Sequence, residues 1–501
     1  MTARVVMIQG SSSSAGKSLL VTALCRILSR RGHRVAPFKA QNMSNNAAVC
    51  VDGSEIGRSQ AVQAAAAGIA PSAEMNPILL KPEGNARSQV IAMGRPWQTV
   101  SAREYYRHKA TLWPLATAAL DRLREVHDVV VIEGAGSPAE LNLRAGDIVN
   151  MAIALYAQAP VLLVGDIDRG GIFAQLLGTV WLLEPREREL IRGLIVNKFR
   201  GDPTLFTDGI RILEERGSVP VLGVVPFIPD LAIPEEDSAA LDLPVTSMPS
   251  AYTADIAVIR LPRIANFDDF APLAAEAGVR LRYVSSRRTL GMPQAIILPG
   301  TKSTISDLNW LREQGLDQAI QSLAANGTTV VGICGGYQML GQVIRDPERV
   351  EASVDSTAGL GLLPIETLFE PIKATHQAEA YILDAPGWLA ALQGEVIRGY
   401  EIHMGHTTSP HPWLTLTQRS GAAVHVADGM VAAEGRIWGC YLHGLFDNLP
   451  LRRTWLRSLG WCESASIAHA PTGLEAAMDH LADHVEASLN MSQLEAIIWG
   501  D

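Results

Sequence analysis

Six short, almost wholly apolar runs recur through the first half of the chain, at residues 5–8, 35–38, 129–132, 161–164, 194–197 and 221–225, separated by stretches of helical character. Strands without polar alternation are buried on both faces, and strands joined by helices run parallel through right-handed crossovers. Residues 5–229 are therefore expected to form a doubly wound α/β unit around a parallel sheet. A second alternation starts at residues 255–259 and continues through 295–298, 329–333 and 436–442, so a second α/β unit follows.

Between them the chain reads Glu235-Glu236-Asp237-Ser238, then Leu243-Pro244 and Met248-Pro249-Ser250, acidic and proline-containing text without periodicity. That break marks a boundary. It divides the 501 residues into a unit over 1–235, a linker over 236–253, a second unit over 254–450 and a helical segment over 451–501. The last carries no catalytic constellation and reads as a packing or capping appendage.

Composition excludes several classes of function. A formal net charge of −10 offers no basic footprint, so nucleic acid is not an expected partner. No apolar run reaches the roughly 18 residues of a membrane span, and no basic stretch leads into a long apolar region at the start. No membrane partner and a cytoplasmic location are expected. The five cysteines, Cys25, Cys50, Cys334, Cys440 and Cys462, lack Cys-x-x-Cys spacing, which argues against a disulfide framework or a zinc site. Four of them read as buried apolar filler. Cys334 differs by its context.

The first strand runs into Gly10-Ser11-Ser12-Ser13-Ser14-Ala15-Gly16-Lys17-Ser18 and then a helical stretch over 19–24. The N–H groups of such a turn and the positive helix end collect phosphate oxygens, the lysine reaches the terminal phosphates, and the hydroxyl of the last serine suits Mg²⁺. Gly10, Ser14, Gly16, Lys17 and Ser18 are thus candidate nucleotide-binding residues. Five residues separate Gly10 from Gly16, where the common form has four. Glu133 ends the run 129–132 and can project from a strand's carboxyl end as a metal ligand. Asp52 is a second candidate metal ligand, although turn chemistry alone also favours Asp52-Gly53.

Cys334 lies in Gly332-Ile333-Cys334-Gly335-Gly336-Tyr337-Gln338, directly after an apolar strand. A cysteine on a strand-to-helix elbow can open an amide if it has a base and N–H donors for the oxyanion. Gly335 and, from Pro299-Gly300-Thr301-Lys302, Gly300 are the candidate oxyanion donors. His443, in Tyr441-Leu442-His443-Gly444, is the candidate base. His403 and His406 read as structural histidines or as lining an interdomain region.

These residues carry resemblances. The long loop resembles the variant of dethiobiotin synthetase and its relatives, which phosphorylate carboxylates. The Cys334 string with His443 resembles class I, triad-type glutamine amidotransferases, whose domain is flavodoxin-like. Joined, and with Lys39-Ala40-Gln41-Asn42-Met43-Ser44-Asn45-Asn46, Asp166-Ile167-Asp168-Arg169-Gly170-Gly171 and Asn197-Lys198-Phe199-Arg200-Gly201-Asp202, they are similar to the cobyric acid synthase family over roughly residues 4–450.

The resemblance implies ATP-dependent amidation of the b, d, e and g carboxylates of adenosylcobyrinic acid a,c-diamide, a small-molecule corrinoid, with glutamine as nitrogen donor. It implies acyl phosphates as intermediates, Lys17 at the transferring phosphoryl group, Mg²⁺ held by Ser18 and Glu133, and a glutamyl thioester on Cys334. Asn42, Ser44 and Asn45 are candidate substrate-side groups. Many relatives in this amidotransferase class place a glutamate two residues after the histidine, where this chain has Leu445, so a Cys334–His443 dyad is expected with its orienting group unassigned. The alternatives are the sister amidase acting at carboxylates a and c and, from another class, a partition-type ATPase switch.

Overall fold

In the computed structural model, residues 2–83, 86–229, 231–234, 236, 252–463 and 473–500 are described. The expected linker, apart from Glu236, Tyr252 and Thr253, lies outside them. The first sheet contains β1 (Arg4–Gly10), β2 (Val35–Phe38), β3 (Val129–Glu133), β4 (Val161–Asp166), β5 (Ile191–Phe199) and β6 (Val221–Pro226), in the order β2-β3-β1-β4-β5-β6. Every neighbouring pair is parallel. Its strands are buried from both faces, as the unbroken apolar runs require. The order reverses beside β1, and at such a switch point the carboxyl ends of the strands open a crevice. The loop after β1 leads there into α1 (Lys17–Arg30).

The second unit has β7 (Ala254–Ile259), β8 (Val279–Val284), β9 (Ala295–Leu298), β10 (Thr329–Ile333), β11 (Met430–Ala432) and β12 (Ile437–Cys440), in the order β8-β7-β9-β10-β12-β11. All pairs are parallel except β11 with β12. Two insertions escape an apolar-run reading. One, over residues 39–101, holds the hairpin Ala47–Val49 with Glu55–Gly57, the helix α2 (Arg58–Ala66), and the strands Gln41–Met43, Ile78–Pro82, Arg87–Ala92 and Arg95–Ser101. The other is an antiparallel sheet containing Glu366–Ile382 and Val396–Thr408. They meet at a small apolar seam where Ala47, Val49, Leu79 and Ile91 pack on Tyr400 and Ile402. Next to it a buried ion triplet, Lys81 and Lys373 on Glu55, joins the two units.

The C-terminal segment divides between the units. Leu451, Trp455 and Leu456 complete the core of the second. The chain then returns to the first, where α4 (Leu474–Ser488) packs along α1 and, with α5 (Met491–Trp499), buries Met478, Leu481, Val485, Leu494 and Ile498 in one cluster with Val21, Leu24 and Leu28 of α1. A comb of ion pairs flanks this contact, Arg26 with Asp479 at 2.7 Å, Arg30 with Asp483 at 2.7 Å and Arg31 with Glu486 at 2.6 Å. Among the described residues no helix is long and apolar enough to cross a membrane.

Burial, more than the surface comb, should hold α4 on α1. Leu481→Ala is expected to cost about 2–4 kcal/mol in urea denaturation. Arg30→Ala, at a pair 40% and 62% exposed, should cost less than about 1 kcal/mol. Equal losses would show that the ion pairs carry the contact.

Candidate active sites

The loop between β1 and α1 is shaped by its two glycines. A Cβ on Gly10 would lie 2.8 Å from the Ser12 carbonyl, and one on Gly16, whose φ is +95°, would lie 2.2 Å from Nδ2 of Asn197. That amide is needed in place, since it donates to the Ala15 carbonyl at 2.8 Å. Lys198 donates to the Ser14 carbonyl at 2.7 Å. Lys17 curls over the loop and donates to the carbonyls of Ser12, Ser13 and Gly136 at 2.8, 3.1 and 3.0 Å. Burial lowers its pKa to about 8, against the pull of Glu133.

Ser18 donates to Glu133 at 2.9 Å and to Glu236 at 3.2 Å. The ammonium of Lys39 bridges the same two carboxylates at 2.8 and 2.9 Å, and Gln63 donates to the other oxygen of Glu133 at 2.5 Å. A hydroxyl and two carboxylates thus converge beside the loop. The adjoining cavity of about 1000 Å³ is lined by Asn42, Met43, Tyr105, Tyr106 and Leu143 and by the cations Lys109, Arg144 and Arg169.

In the second unit β10 turns into α3 (Gly335–Leu340) at Cys334, whose φ of 51° and ψ of −110° put a non-glycine residue in a strained region. Such strain persists only where the surroundings over-determine it. Here they do: a Cβ on Gly336 would lie 1.9 Å from the Leu298 carbonyl, and one on Gly332 would lie 2.7 Å from the Gly336 carbonyl. Cys334 lines a cavity of about 860 Å³ with Gly300, Gly335, His403 and His443. Its wall also includes Lys81, Glu83, Arg87 and Gln89, so the first unit closes the pocket of the second. As the first residue of α3, Gly335 has an N–H without an intrahelical acceptor. Gly300 also makes room for the base, because a Cβ there would lie 2.8 Å from Cε1 of His443.

The dyad expectation needs correcting. Nδ1 of His443 is 2.6 Å from Oδ2 of Asp269, and Oδ1 of that carboxylate accepts from the Gly444 N–H at 2.9 Å. A third member therefore exists. It arrives from the turn after β7 and not from the position of Leu445, which is buried in the apolar core. Burial disfavours an imidazolium at His443, but the Asp269 carboxylate outweighs it and contact with Cys334 adds to it, holding the pKa up at about 10. Asp269 engages Nδ1 and leaves Nε2 for the thiol, the arrangement of a nucleophile, base and orienting acid.

Sequence comparison agrees with both halves. Residues 6–240 match the CobQ/CobB/MinD/ParA nucleotide binding domain family, and residues 255–450 match the CobB/CobQ-like glutamine amidotransferase domain family. Proteins named cobyric acid synthase are similar over the full length: 56% identical in Chloroflexus aggregans and 55% in Herpetosiphon aurantiacus, each covering 99% of both chains. Another in Moorella thermoacetica is 50% identical over 99% of this chain and 97% of its own. The chain belongs to the cobyric acid synthase family. It is a glutamine-dependent amide ligase with an ATP-binding unit.

The remaining residues singled out in sequence sort clearly in this cobyric acid synthase family member. Asp52 is not brought to the loop: its carboxylate accepts from the N–H and hydroxyl of Ser54 at 2.9 and 2.6 Å, so turn chemistry takes it up. Asn42 faces the cavity and donates to Gln60 at 2.8 Å. Ser44 donates instead to the Glu236 carbonyl at 2.9 Å, and Asn45 does not line the cavity. His403 stacks on Tyr441 at 3.9 Å, whereas His406 is exposed. Cys25, Cys50 and Cys440 are buried, but Cys462, expected inside, is exposed. Sequence reasoning overlooked Lys39, Glu236 and Asp269. Lys39 opens the segment Lys39-Ala40-Gln41-Asn42, Glu236 lies in the acidic run at the domain boundary, and the doubled acid Asp268-Asp269 is the signal for the third.

Asp269→Asn is expected to lower glutamate release from glutamine by about 10²–10⁴-fold while ammonia-supported amidation persists. An unchanged glutaminase rate would show that the carboxylate does not orient the base. The folded-state pKa of His443 is raised, so its contribution to stability is complete below about pH 6.5 and is lost as pH rises through about 10. The stability gap between wild type and Asp269→Asn should accordingly narrow across that window.

Proposed function

We propose that the chain amidates the b, d, e and g carboxylates of adenosylcobyrinic acid a,c-diamide, using ATP and the amide nitrogen of glutamine. The observation that carries this reading is the pairing, in one chain, of a phosphate loop opening on a large cavity with a separate cysteine triad. The cavity wall suits a bulky macrocycle bearing carboxylates, with Met43, Tyr105, Tyr106 and Leu143 for apolar faces and Lys109 for anions, while Arg144 and Arg169 are paired with Glu187 and Asp166. The sister amidase shares both chemistries; the similar proteins reported above are named cobyric acid synthase, which supports the present reading over it.

In the first step a substrate carboxylate oxygen attacks the γ-phosphorus of ATP, giving an acyl phosphate and ADP. Lys17 neutralises the charge that develops on the transferring group. Among the described residues no three His, Cys, Asp or Glu side chains form a metal site. The oxygen set of Ser18, Glu133 and Glu236 fits a hard cation shared with nucleotide phosphates, and Lys39 now supplies the positive charge there. Mg²⁺ held by these residues would screen the phosphate charge.

In the second unit Cys334 Sγ attacks the side-chain carbonyl of glutamine, the N–H groups of Gly335 and Gly300 steady the oxyanion, and His443 gives its proton to the departing ammonia. Water then cleaves the glutamyl thioester to glutamate. Ammonia attacks the acyl phosphate, phosphate leaves, and an amide remains.

Mass spectrometry of the corrinoid after incubation with ATP, Mg²⁺ and glutamine tests the reading. Four successive steps, each about 1 Da lighter as OH becomes NH₂, are expected. No step on the a,c-diamide, with two on the corrinoid whose a and c carboxylates are still free, would select the sister reaction, and no step on either would refute the assignment. Cys334→Ala should abolish the steps with glutamine yet keep them with ammonia, and Lys17→Ala should abolish them with either.

A further inference from the structure

The groups that hold the triad in the second unit are themselves held by the first. Tyr400 stacks on the His443 ring, with centroids 5.2 Å apart and planes 17° from parallel. Their backbones exchange hydrogen bonds, the Tyr400 N–H to the His443 carbonyl at 3.1 Å and the reverse at 2.9 Å. The phenol oxygen of Tyr400 accepts from Arg58 at 2.6 Å, and the same guanidinium lies 2.8 Å from the carboxylate of Asp268, the neighbour of the triad acid. The first unit also holds the turn that presents Asp269. The Ala47 N–H donates to Oδ1 of Asn266 at 3.0 Å, and the Phe267 N–H donates to Oδ1 of Asn46 at 3.2 Å.

Arg58 is the first residue of α2, and the rest of that helix reaches the phosphate site. Gln60 bonds Asn42, and Gln63 bonds both the Glu133 carboxylate at 2.5 Å and the Ser18 carbonyl at 3.5 Å. Gln63 lies five residues after Arg58 on this helix, roughly 7.5 Å along its axis. One helix therefore touches the support of the glutaminase base with its first residue and the nucleotide site with residues on its next turns. Gly57, before it, has no room for a side chain, because a Cβ would lie 2.4 Å from Nδ2 of Asn42.

We infer that Arg58 is a positioning residue for the glutaminase reaction, donated by the ATP-binding unit. It fixes Tyr400 and Asp268, and through them the ring of His443 and the turn bearing Asp269. It touches neither glutamine nor the reacting thiol. The inference rests on the glutamine-hydrolysing role proposed for the Cys334 triad, and not on which corrinoid is amidated. Its consequence is that hydrolysis of glutamine depends on correct docking of the two units.

The test uses the full-length protein with Arg58→Met, Arg58→Lys and Tyr400→Phe. Glutamate release is read without any acceptor, nucleotide affinity by calorimetry, and amidation with ammonium chloride as nitrogen source. Arg58→Met is expected to lower kcat for glutamate release at least about tenfold with KM for glutamine within twofold. Nucleotide affinity and ammonia-supported amidation should also stay within twofold. Arg58→Lys, which keeps the charge near Asp268 but not the fork, should recover part of the loss, and Tyr400→Phe should show a smaller loss of the same kind. An unchanged kcat, or a loss shared equally by both nitrogen sources and by nucleotide affinity, would overturn the inference. If Arg58→Met does not fold, Arg58→Lys and Tyr400→Phe decide by the same criteria. A wild type that releases glutamate but amidates no corrinoid would refute the substrate reading and leave this test intact.

Discussion

Burying an ionised carboxylate without a partner costs several kcal/mol, and the seam between the two units is assembled from answers to that constraint. Glu133 is paired by Lys39, Glu55 by Lys81 and Lys373, Asp268 by Arg58, and Asp269 by His443. The Lys373–Glu55 and Arg58–Asp268 pairs cross from one unit to the other. Removing one partner would strand the other in a dry interior, so docking of the units and ionisation of their sites are one problem. On the proposed reading the same charges serve the chemistry: carboxylates to face a cation beside the phosphate loop, and an acid to keep a histidine protonated beside a thiol.

The parallel sheets were legible because burial on both faces writes itself as unbroken apolar runs. Val35–Phe38, Ala295–Leu298 and Thr329–Ile333 coincide with the runs, Ile437–Cys440 falls inside the run 436–442, and the others extend theirs by a few residues. Val279–Val284 escaped because it is an edge strand, with Arg280 and Arg282 alternating along it. The long antiparallel strands Glu366–Ile382 and Val396–Thr408 are half-exposed ribbons whose apolar content is too sparse to announce a strand. The insertion over residues 39–101 is made of short strands buried partly against the core of the first unit, at Ile78, Leu80, Val90 and Val100, and partly against the second unit, at Ala47, Val49, Leu79 and Ile91, a tertiary effect that local pattern does not carry.

The sites divide along the same line. The loop from Gly10 to Ser18 and the Cys334 elbow are local devices, fixed by glycines at set offsets from a strand, and sequence alone locates them. Asp269 lies 174 residues before His443, and Glu236 lies 218 residues after Ser18, so only the folded chain brings each to its place. Asp52 shows the reverse error, an acid with suitable chemistry whose own turn uses it first.

On the proposed reading, the enzyme makes ammonia in one pocket and spends ATP in another to create the electrophile that receives it. The route through an acyl phosphate is tested most directly by the fate of carboxylate oxygen. With substrate labelled by ¹⁸O in the reacting carboxylates, the account predicts one labelled oxygen in inorganic phosphate for each amide formed. Label appearing in AMP, or absent from phosphate while amides accumulate, would contradict it.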